Sequence, residues 1–170
     1  MRLKKYILVL IVGIAILFAL NPSSKSPIDE PIDLIVVYKS KRLLNVYAHE
    51  RLLRSYKISL GKHPIGHKEF EGDKKTPEGL YYINTKSTNS RYHKNLGISY
   101  PNINDLNFAT NRQKSAGGNI KIHGIRNWLG LVGILHRNFD WTNGCIALTN
   151  QEIDELYDVV PVGTIIEIKP

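Results

Sequence analysis

The sequence lacks a second cysteine. Because Cys145 is the one cysteine in 170 residues, no disulfide can form within the chain, and a small disulfide-stapled scaffold is excluded. The sequence also lacks an internal repeat and a basic run. Lys and Arg number 23 against 15 Asp and Glu, a surplus that suits an anionic polymer or a membrane surface. Since this surplus is spread along the chain, nucleic acid is not predicted as a partner.

Long hydrophobic runs are also scarce, and the one present is at the amino terminus. The run Tyr6–Leu20 follows three cations, and its length lies between a signal-peptide core and a full membrane span of about 20 residues. No convincing small-residue cleavage site ends it, and no cysteine follows it for lipid attachment. We therefore predict residues 1–20 as a signal peptide or, slightly favoured, an uncleaved membrane anchor. Residues 21–33 are predicted as a linker and residues 34–170 as one domain of ordinary size.

Short runs of β-branched and aromatic residues predict a β-rich (α+β) domain. One helix is predicted after Thr149, because Glu152 completes a capping box and apolar residues at helical spacing continue to Pro161. The polar stretch from Ser87 to Gly118 shows no period, and we interpret it as either a plain connection or a binding segment or lid. The predicted strands are Leu34–Tyr38, Leu43–Ala48, Arg51–Leu60, Gly79–Asn84 and Thr164–Ile168.

A lone cysteine is either an inert core residue or is present for its chemistry. Cys145 begins a strand-like run just before the predicted helix, and His123 ends a second short run. A thiol with a pKa of about 8.5 is mostly protonated near neutral pH, so a sulfur nucleophile needs an imidazole to take its proton. The sequence therefore predicts Cys145 as nucleophile and His123 as general base. The alternative is a buried, inert cysteine and a surface histidine.

A glycine flanks each member of this pair. Gly124 follows His123, and Gly144 precedes Cys145. Glycine allows close backbone approach and unusual dihedral angles, so backbone N–H groups can converge on a developing oxyanion. We predict the Cys145 amide as one such donor.

The other histidines do not predict a metal site. His63 and His67 have the i, i+4 spacing of helical zinc ligands, but a proline and a glycine lie between them and forbid a regular helix. We interpret residues 61–79, which contain both histidines, as a charged loop bracketed by turns. Neither a metal nor a cofactor is predicted. The remaining histidines are predicted as surface or interface residues: His49, His93 and His136.

Several motifs in one order resemble the YkuD-type L,D-transpeptidase catalytic domain. They are Glu-Gly-Asp-x-x-Thr-Pro-Glu-Gly ending at Gly79, Tyr100-Pro101-Asn102, His123-Gly124, and Thr142-Asn143-Gly144-Cys145. More narrowly, the stretch from Asp140 to Ala147 resembles the YafK-like branch of that superfamily. The resemblance covers nearly all of the chain after the linker.

This resemblance implies a mixed β-sheet domain with a few helices, located in the periplasm or cell envelope. It implies action on peptidoglycan stem peptides without a cofactor. The family's cysteine attacks the carbonyl between an L-centre and a D-residue, releases the terminal D-alanine and passes the acyl group to an amine or to water. The residues that match the family's site are Cys145 and His123 as the catalytic pair, Thr142, Asn143 and Gly144 as the box, and Gly124 and Tyr100 at the substrate.

Two positions depart from the family's common pattern. Asn143 replaces a histidine, and Ala147 replaces an Arg or Asn that could hold a substrate carboxylate. Reaction direction therefore stays open between transpeptidation, our first choice, and hydrolysis or amide cleavage that removes a group from diaminopimelate. An envelope protein is a candidate acyl acceptor or leaving group. A non-catalytic peptidoglycan-binding domain is the alternative from another class.

Overall fold

The computed structural model describes residues 26–127 and 130–170. These residues form eight strands, two α-helices and one 3-10 segment, joined by loops. The helices are α1 Ile103–Thr110 and α2 Asn150–Val159, and the 3-10 segment spans Gly130–Asn138. The strands are β1 Leu34–Tyr38, β2 Leu43–Ala48, β3 Arg51–Lys57, β4 Gly79–Ser87, β5 Asn95–Ile98, β6 Lys121–His123, β7 Ile146–Ala147 and β8 Ile165–Lys169.

The predicted export segment and most of the predicted linker lie outside the described residues. Within the two described ranges, no helix is both long and apolar enough to cross a membrane. The last linker residues pack on the domain, because Ile32 is buried and its N–H donates to the Val159 carbonyl at 2.9 Å.

The strands form one mixed sheet in the order β3-β2-β1-β8-β4-β5-β6-β7. Neighbours are antiparallel except for two parallel pairs, β1 with β8 and β6 with β7. Runs of β-branched residues such as β1, with sequence LIVVY, favour the pleated conformation because their side chains pack well on it. The predicted mixed, β-rich fold is confirmed.

The two ends of this sheet meet. After β3 the chain crosses to the far edge, where Ser59 forms an antiparallel bridge with Ala147 and Gly61 forms a parallel bridge with Thr142. The Ser59 N–H donates to the Ala147 carbonyl at 3.0 Å, and the Ala147 N–H donates back at 2.8 Å. The curled sheet therefore brings β7, which follows Cys145, against the end of the amino-terminal meander.

Helix α2 covers the core and sits next to the site. Thr149 and Glu152 form the capping box that the sequence predicts, and Val160 caps the carboxyl end. Ile153 and Leu156 are fully buried on the sheet. Because this helix begins five residues after Cys145, that cysteine directly precedes a short strand and a packed helix.

The stretch from Ser87 to Gly118 is not the structureless segment that its lack of period suggests. It contains β5, buried along its whole length, and α1. Helix α1 begins with a capping box of Asn102 and Asp105, a start signal that the sequence does carry. The helix lacks a clear apolar stripe, since Ile103 is 67% exposed and Leu106 is 44% exposed. Periodicity therefore could not reveal it.

Candidate active site

Cys145 and His123 are brought to one face of the sheet by the parallel pair β6 and β7. The ladder pairs Ile122 with Ile146 and His123 with Ala147. Ile122 and Ile146 are both fully buried in the core, and side chains alternate along a strand. Extending this register by one residue to Cys145, just before β7, places His123 and Cys145 on the opposite face as diagonal neighbours.

The turn before Cys145 is held by one hydroxyl. Thr142 Oγ1 donates to the Cys145 carbonyl at 2.7 Å and accepts from the Gly144 N–H at 3.1 Å. Because the Gly144 N–H is already bonded, it is not available to an oxyanion. The Cys145 N–H makes no hydrogen bond within the described ranges, so it is the free donor at this turn.

Gly144 is required by both its conformation and its surroundings. Its φ is +125°, and a Cβ at this position would lie 2.6 Å from the carbonyl oxygen of Lys75. The backbone of the charged loop therefore packs directly on the turn before Cys145. Gly61 is equally crowded, since a Cβ there would lie 2.1 Å from the Lys74 carbonyl oxygen and 3.0 Å from the Gly144 Cα.

A buried lysine fixes that charged loop. Lys39 is 1% exposed, and its ammonium donates to the Gly66 carbonyl at 2.6 Å, the Thr76 carbonyl at 2.9 Å and Glu78 Oε1 at 2.7 Å. Burial lowers the pKa of Lys39, while Glu78 acts in the opposite direction. A buried charge with all three donors satisfied ties the two limbs of the loop together.

His123 is oriented by its neighbour in sequence. Its Nδ1 lies 2.6 Å from the Gly124 carbonyl oxygen, which can only accept, so Nδ1 carries the proton and Nε2 is left with a free lone pair. The side chain is buried, and this burial lowers the pKa of His123 to about 4. The Gly124 carbonyl raises that pKa and the charge of Lys121 lowers it. At neutral pH the imidazole is therefore neutral and able to accept a proton.

Aromatic rings enclose the base. The Tyr92 ring lies 4.7 Å from the His123 ring, centre to centre, and Trp141 meets His123 edge-on at 5.8 Å. The Tyr92 carbonyl accepts from the Gly124 N–H at 3.1 Å, so the loop before β5 is tied to the turn after β6. These rings keep water from the imidazole on two sides.

The Cys145 thiol is half-buried, and burial raises its pKa. A hydrogen bond from the Lys121 backbone and the positive charges of Lys121 and Lys68 act in the opposite direction. The Sγ atom lies 3.6 Å from the Asn119 carbonyl oxygen, which accepts from a thiol and not from a thiolate. In the free protein the pair is therefore a neutral thiol and a neutral imidazole.

The structure places the remaining predicted site residues in different surroundings. Asn143 is exposed. Gly124 is buried, and a Cβ there would lie 2.6 Å from Asn150 Oδ1. Tyr100 is 5% exposed within the core, and its hydroxyl donates to the Ala116 carbonyl at 2.9 Å. The contacts of Tyr100 are those of a core residue, and substrate binding by Tyr100 and Gly124 stays a prediction.

Of the other histidines, His136 differs most from expectation. We predicted a surface or interface residue, but His136 is 3% exposed and its Nδ1 lies 3.1 Å from Ser59 Oγ. His67 instead lies 3.1 Å from Asp105, and His63 lies 2.9 Å from the Asp73 carbonyl. In the described ranges no group of three His, Cys, Asp or Glu side chains is placed to hold a metal ion.

Sequence reasoning missed the residues that surround the pair. Tyr92 and Trp141 enclose the His123 ring, and His136 lies behind Trp141 at 6.4 Å between ring centres. Lys39 fixes the loop that packs on the turn before Cys145. The proximity of Trp141 to Cys145 in sequence was the one local signal. Tyr92 and Lys39 reach the site from distant parts of the chain, which no local pattern reports.

The chain is similar to known proteins over nearly all of its described length. Residues 32–168 match the YkuD family, described as the L,D-transpeptidase catalytic domain. "Putative L,D-transpeptidase YafK" of Escherichia coli K12 is 34% identical over 132 residues, covering 74% of this chain and 46% of that protein. The chain thus spans about half the length of this curated relative.

Solved structures agree with that match. The helical cell shape determining protein Pgp2 from Campylobacter jejuni superposes with a TM-score of 0.64 at 27% identity, covering 84% of this chain and 49% of that one. An L,D-transpeptidase from Stackebrandtia nassauensis superposes with a TM-score of 0.55 at 12% identity, covering 89% of this chain and 62% of that one. At this low identity, the second likeness concerns the fold alone.

Proposed function

The chain belongs to the YkuD family of L,D-transpeptidase catalytic domains, and from this premise we propose that it is a cysteine acyl-transferase acting on peptidoglycan stem peptides. The observation that carries the proposal is the pairing of Cys145 and His123. Both lie on one face of two adjacent strands, and the Nδ1 contact with Gly124 leaves Nε2 of His123 free for the thiol proton.

The first half-reaction begins from a neutral pair. As the Cys145 sulfur attacks the peptide carbonyl, its proton passes to Nε2 of His123 and an S–C bond forms. The tetrahedral intermediate collapses when the C–N bond to the terminal D-residue breaks and His123 returns the proton to the leaving amine. A thioester on Cys145 and a free D-amino acid result.

The neutral starting state follows from burial. Burial raises the pKa of the thiol and lowers that of the imidazole to about 4, so a preformed thiolate and imidazolium pair is disfavoured. General-base catalysis on a thiol is therefore the route that this site supports.

The Cys145 N–H supports the proposed oxyanion site. It lies on the nucleophile itself and makes no other hydrogen bond within the described ranges, whereas the Gly144 N–H is bonded to Thr142. A pre-aimed backbone donor of this kind stabilises the negative oxygen of the tetrahedral intermediate.

In the second half-reaction an acceptor takes the acyl group. An amine of another stem peptide or an envelope protein gives transpeptidation, and water gives hydrolysis. We propose transpeptidation first, because the matching family is described as the L,D-transpeptidase catalytic domain and the curated relative carries the name "Putative L,D-transpeptidase YafK". Hydrolysis uses the same thioester, so one assay can measure both.

We further propose a location in the periplasm or cell envelope, with residues 1–20 as signal or inner-membrane anchor. The three cations before the apolar run support this orientation. A role in cell shape is a natural extension, given the likeness to Pgp2. Alkaline phosphatase fused to the carboxyl terminus should be active, and an active cytoplasm-only reporter would refute the location.

The decisive experiment is intact-mass measurement of the protein mixed with purified muropeptides or with a carbapenem. We expect an adduct on Cys145 and none in Cys145→Ala at unchanged melting temperature. His49→Ala, a change at an exposed residue, is the matched control and should acylate normally. An active Cys145→Ala variant would overturn the nucleophile assignment, and muropeptide binding without any adduct would favour a binding domain.

A further inference from the structure

Lys121 lies two residues before His123 on β6, on the same face of the sheet and beside Cys145. Its neighbour Ile122 is fully buried in the core, so alternation along β6 sends the side chains of Lys121 and His123 to the same face. The ladder pairs Ile122 with Ile146, and one step back in this register Lys121 stands level with Cys145. The backbone hydrogen bond from Lys121 toward the thiol agrees with this placement.

The ammonium of Lys121 has no carboxylate partner. Within residues 26–127 and 130–170 no Asp or Glu oxygen lies within 4 Å of it and it makes no hydrogen bond. The remaining residues of the chain include no Asp or Glu. In the described part of the chain, the Lys121 ammonium therefore forms no ion pair.

Two other lysines near the site, Lys68 and Lys94, already have partners. Lys68 lies 2.8 Å from Asp73 Oδ1 and 2.8 Å from the Phe70 carbonyl oxygen. Lys94 lies 3.0 Å from Asp154. Of the two lysines whose charge acts on Cys145, Lys121 is the one whose donors are available to a ligand within the described residues.

The charge of Lys121 also acts on both catalytic groups. It lowers the pKa of the Cys145 thiol and the pKa of the His123 imidazole. An anion that pairs with Lys121 would cancel this field. The imidazole would then become a stronger base once that anion is bound.

We propose that the Lys121 ammonium binds a carboxylate of the acyl-donor peptide next to the reacting carbonyl, and so selects anionic substrates. The proposal rests on the proposed function and names one specificity-determining contact within it. An ammonium with free donors recognises a carboxylate by a charge-assisted hydrogen bond. The contact both holds the peptide and removes the charge that weakens His123.

The test compares Lys121→Met, which keeps the length of the side chain without its charge, with Lys121→Arg, which keeps a cation. Lys57→Met, at an exposed lysine at the end of β3, is the control for the loss of one positive charge. Turnover is measured on a stem tetrapeptide with free carboxylates and on three peptides that are each amidated at a different carboxylate. KM and kcat are determined separately.

We expect Lys121→Met to lower kcat/KM on the free peptide about tenfold or more, a typical loss for a charge-assisted contact. Lys121→Arg should recover most of it, and Lys57→Met should match the unchanged protein. In the unchanged protein one amidated peptide should show the same loss, and Lys121→Met should lose nothing further on that peptide. That peptide identifies which carboxylate is bound. If Lys121→Met lowers kcat/KM by the same factor on all three amidated peptides as on the free peptide, the proposal is overturned.

A second readout does not need turnover. Cys145 is alkylated with iodoacetate, which carries a carboxylate, and with iodoacetamide, which does not. The rate with iodoacetate divided by the rate with iodoacetamide should fall several-fold in Lys121→Met and stay unchanged in Lys57→Met. An unchanged ratio in Lys121→Met overturns the carboxylate contact, whereas absence of turnover in the unchanged protein with a normal ratio would count against the proposed function alone.

Discussion

The two halves of the sheet differ in strand length and in what they carry. Strands β1 to β4 and β8 are five to nine residues long, and they bury most of the core without holding a catalytic group. Strands β5, β6 and β7 have four, three and two residues. His123 ends β6, and Cys145 directly precedes β7. Strands this short contribute few ladder hydrogen bonds, so the geometry of the site must be maintained by other contacts.

Those other contacts come from the turn itself and from distant segments. Thr142 holds the nucleophile turn by its hydroxyl, Ser59 pairs with β7 from the end of the meander, and Lys39 anchors the loop that packs on Gly144. The long-strand half is therefore stable through its own ladder, whereas the short-strand half depends on tight packing by the rest of the chain. Similar substitutions should have different consequences in the two halves.

The largest expected effect is loss of either member of the catalytic pair. Cys145→Ala and His123→Gln should each lower muropeptide turnover about a thousandfold or more, because the two residues act as a unit. The double variant should be little worse than either single one. Turnover by chromatography and thermal melting check this, and losses that multiply in the double variant would show that the two residues act separately.

Next in size is a comparison of two glycines with positive φ. Gly144→Ala should lower the rate of carbapenem acylation about a hundredfold, because its Cβ would meet the Lys75 carbonyl at 2.6 Å and displace the Cys145 N–H. Gly163, before β8, has a φ of +97° and nothing within 4 Å of a Cβ. Gly163→Ala should cost about 1 kcal/mol of stability and leave the rate within twofold.

Intact-mass acylation rates and urea unfolding of the two variants measure this difference. Equal effects on acylation would mean that the short-strand half does not depend on close packing at the turn. A Gly144→Ala variant that is destabilised yet acylates at the normal rate would place the oxyanion donor elsewhere.

Features of the fold that depend on local sequence patterns could be predicted, whereas features that depend on long-range contacts could not. Strands β1 and β2, the helix α2 and the candidates Cys145 and His123 were predictable, because each is marked by a local pattern of apolar residues, caps or glycines. The closure of the sheet by Ser59 and Ala147 was not predictable, nor was the burial of His136, since both depend on contacts between distant residues, such as Ser59 with His136, 77 positions apart. Helix α1 was missed because its cap is clear but its apolar stripe is absent.

Acid should destabilise the short-strand half in particular. Burial lowers the pKa of His123 and of His136 to about 4, against about 6.5 in an unfolded chain. As the pH falls from about 6.5 toward 4, the unfolded state takes up protons that the folded state does not, so folding stability decreases. The loss between pH 7 and pH 5 is about 2 kcal/mol for each histidine.

Urea unfolding at pH 7 and pH 5 measures this loss. His136→Phe should remove about half of the difference between the two pH values, and His49→Ala, at an exposed site, should leave it unchanged. A pH dependence that survives intact in His136→Phe would show that His136 is not the group that titrates.

The smallest effect is expected at Asn143. Its side chain is exposed and makes no hydrogen bond within the described ranges, while Thr142 holds the turn beside it. Asn143→Ala and Asn143→His should therefore change the carbapenem acylation rate by less than about threefold, as is usual for surface substitutions.

Thr142→Val, which removes the hydroxyl that bonds Gly144 and Cys145, should lower the rate about tenfold or more. If Asn143 instead tunes the choice of acceptor, Asn143→His combined with Ala147→Arg should shift products toward cross-linked dimers at constant acylation rate. Acylation and product ratio can be followed in the same samples, and a large drop in acylation in Asn143→Ala would contradict the assignment of the turn to Thr142.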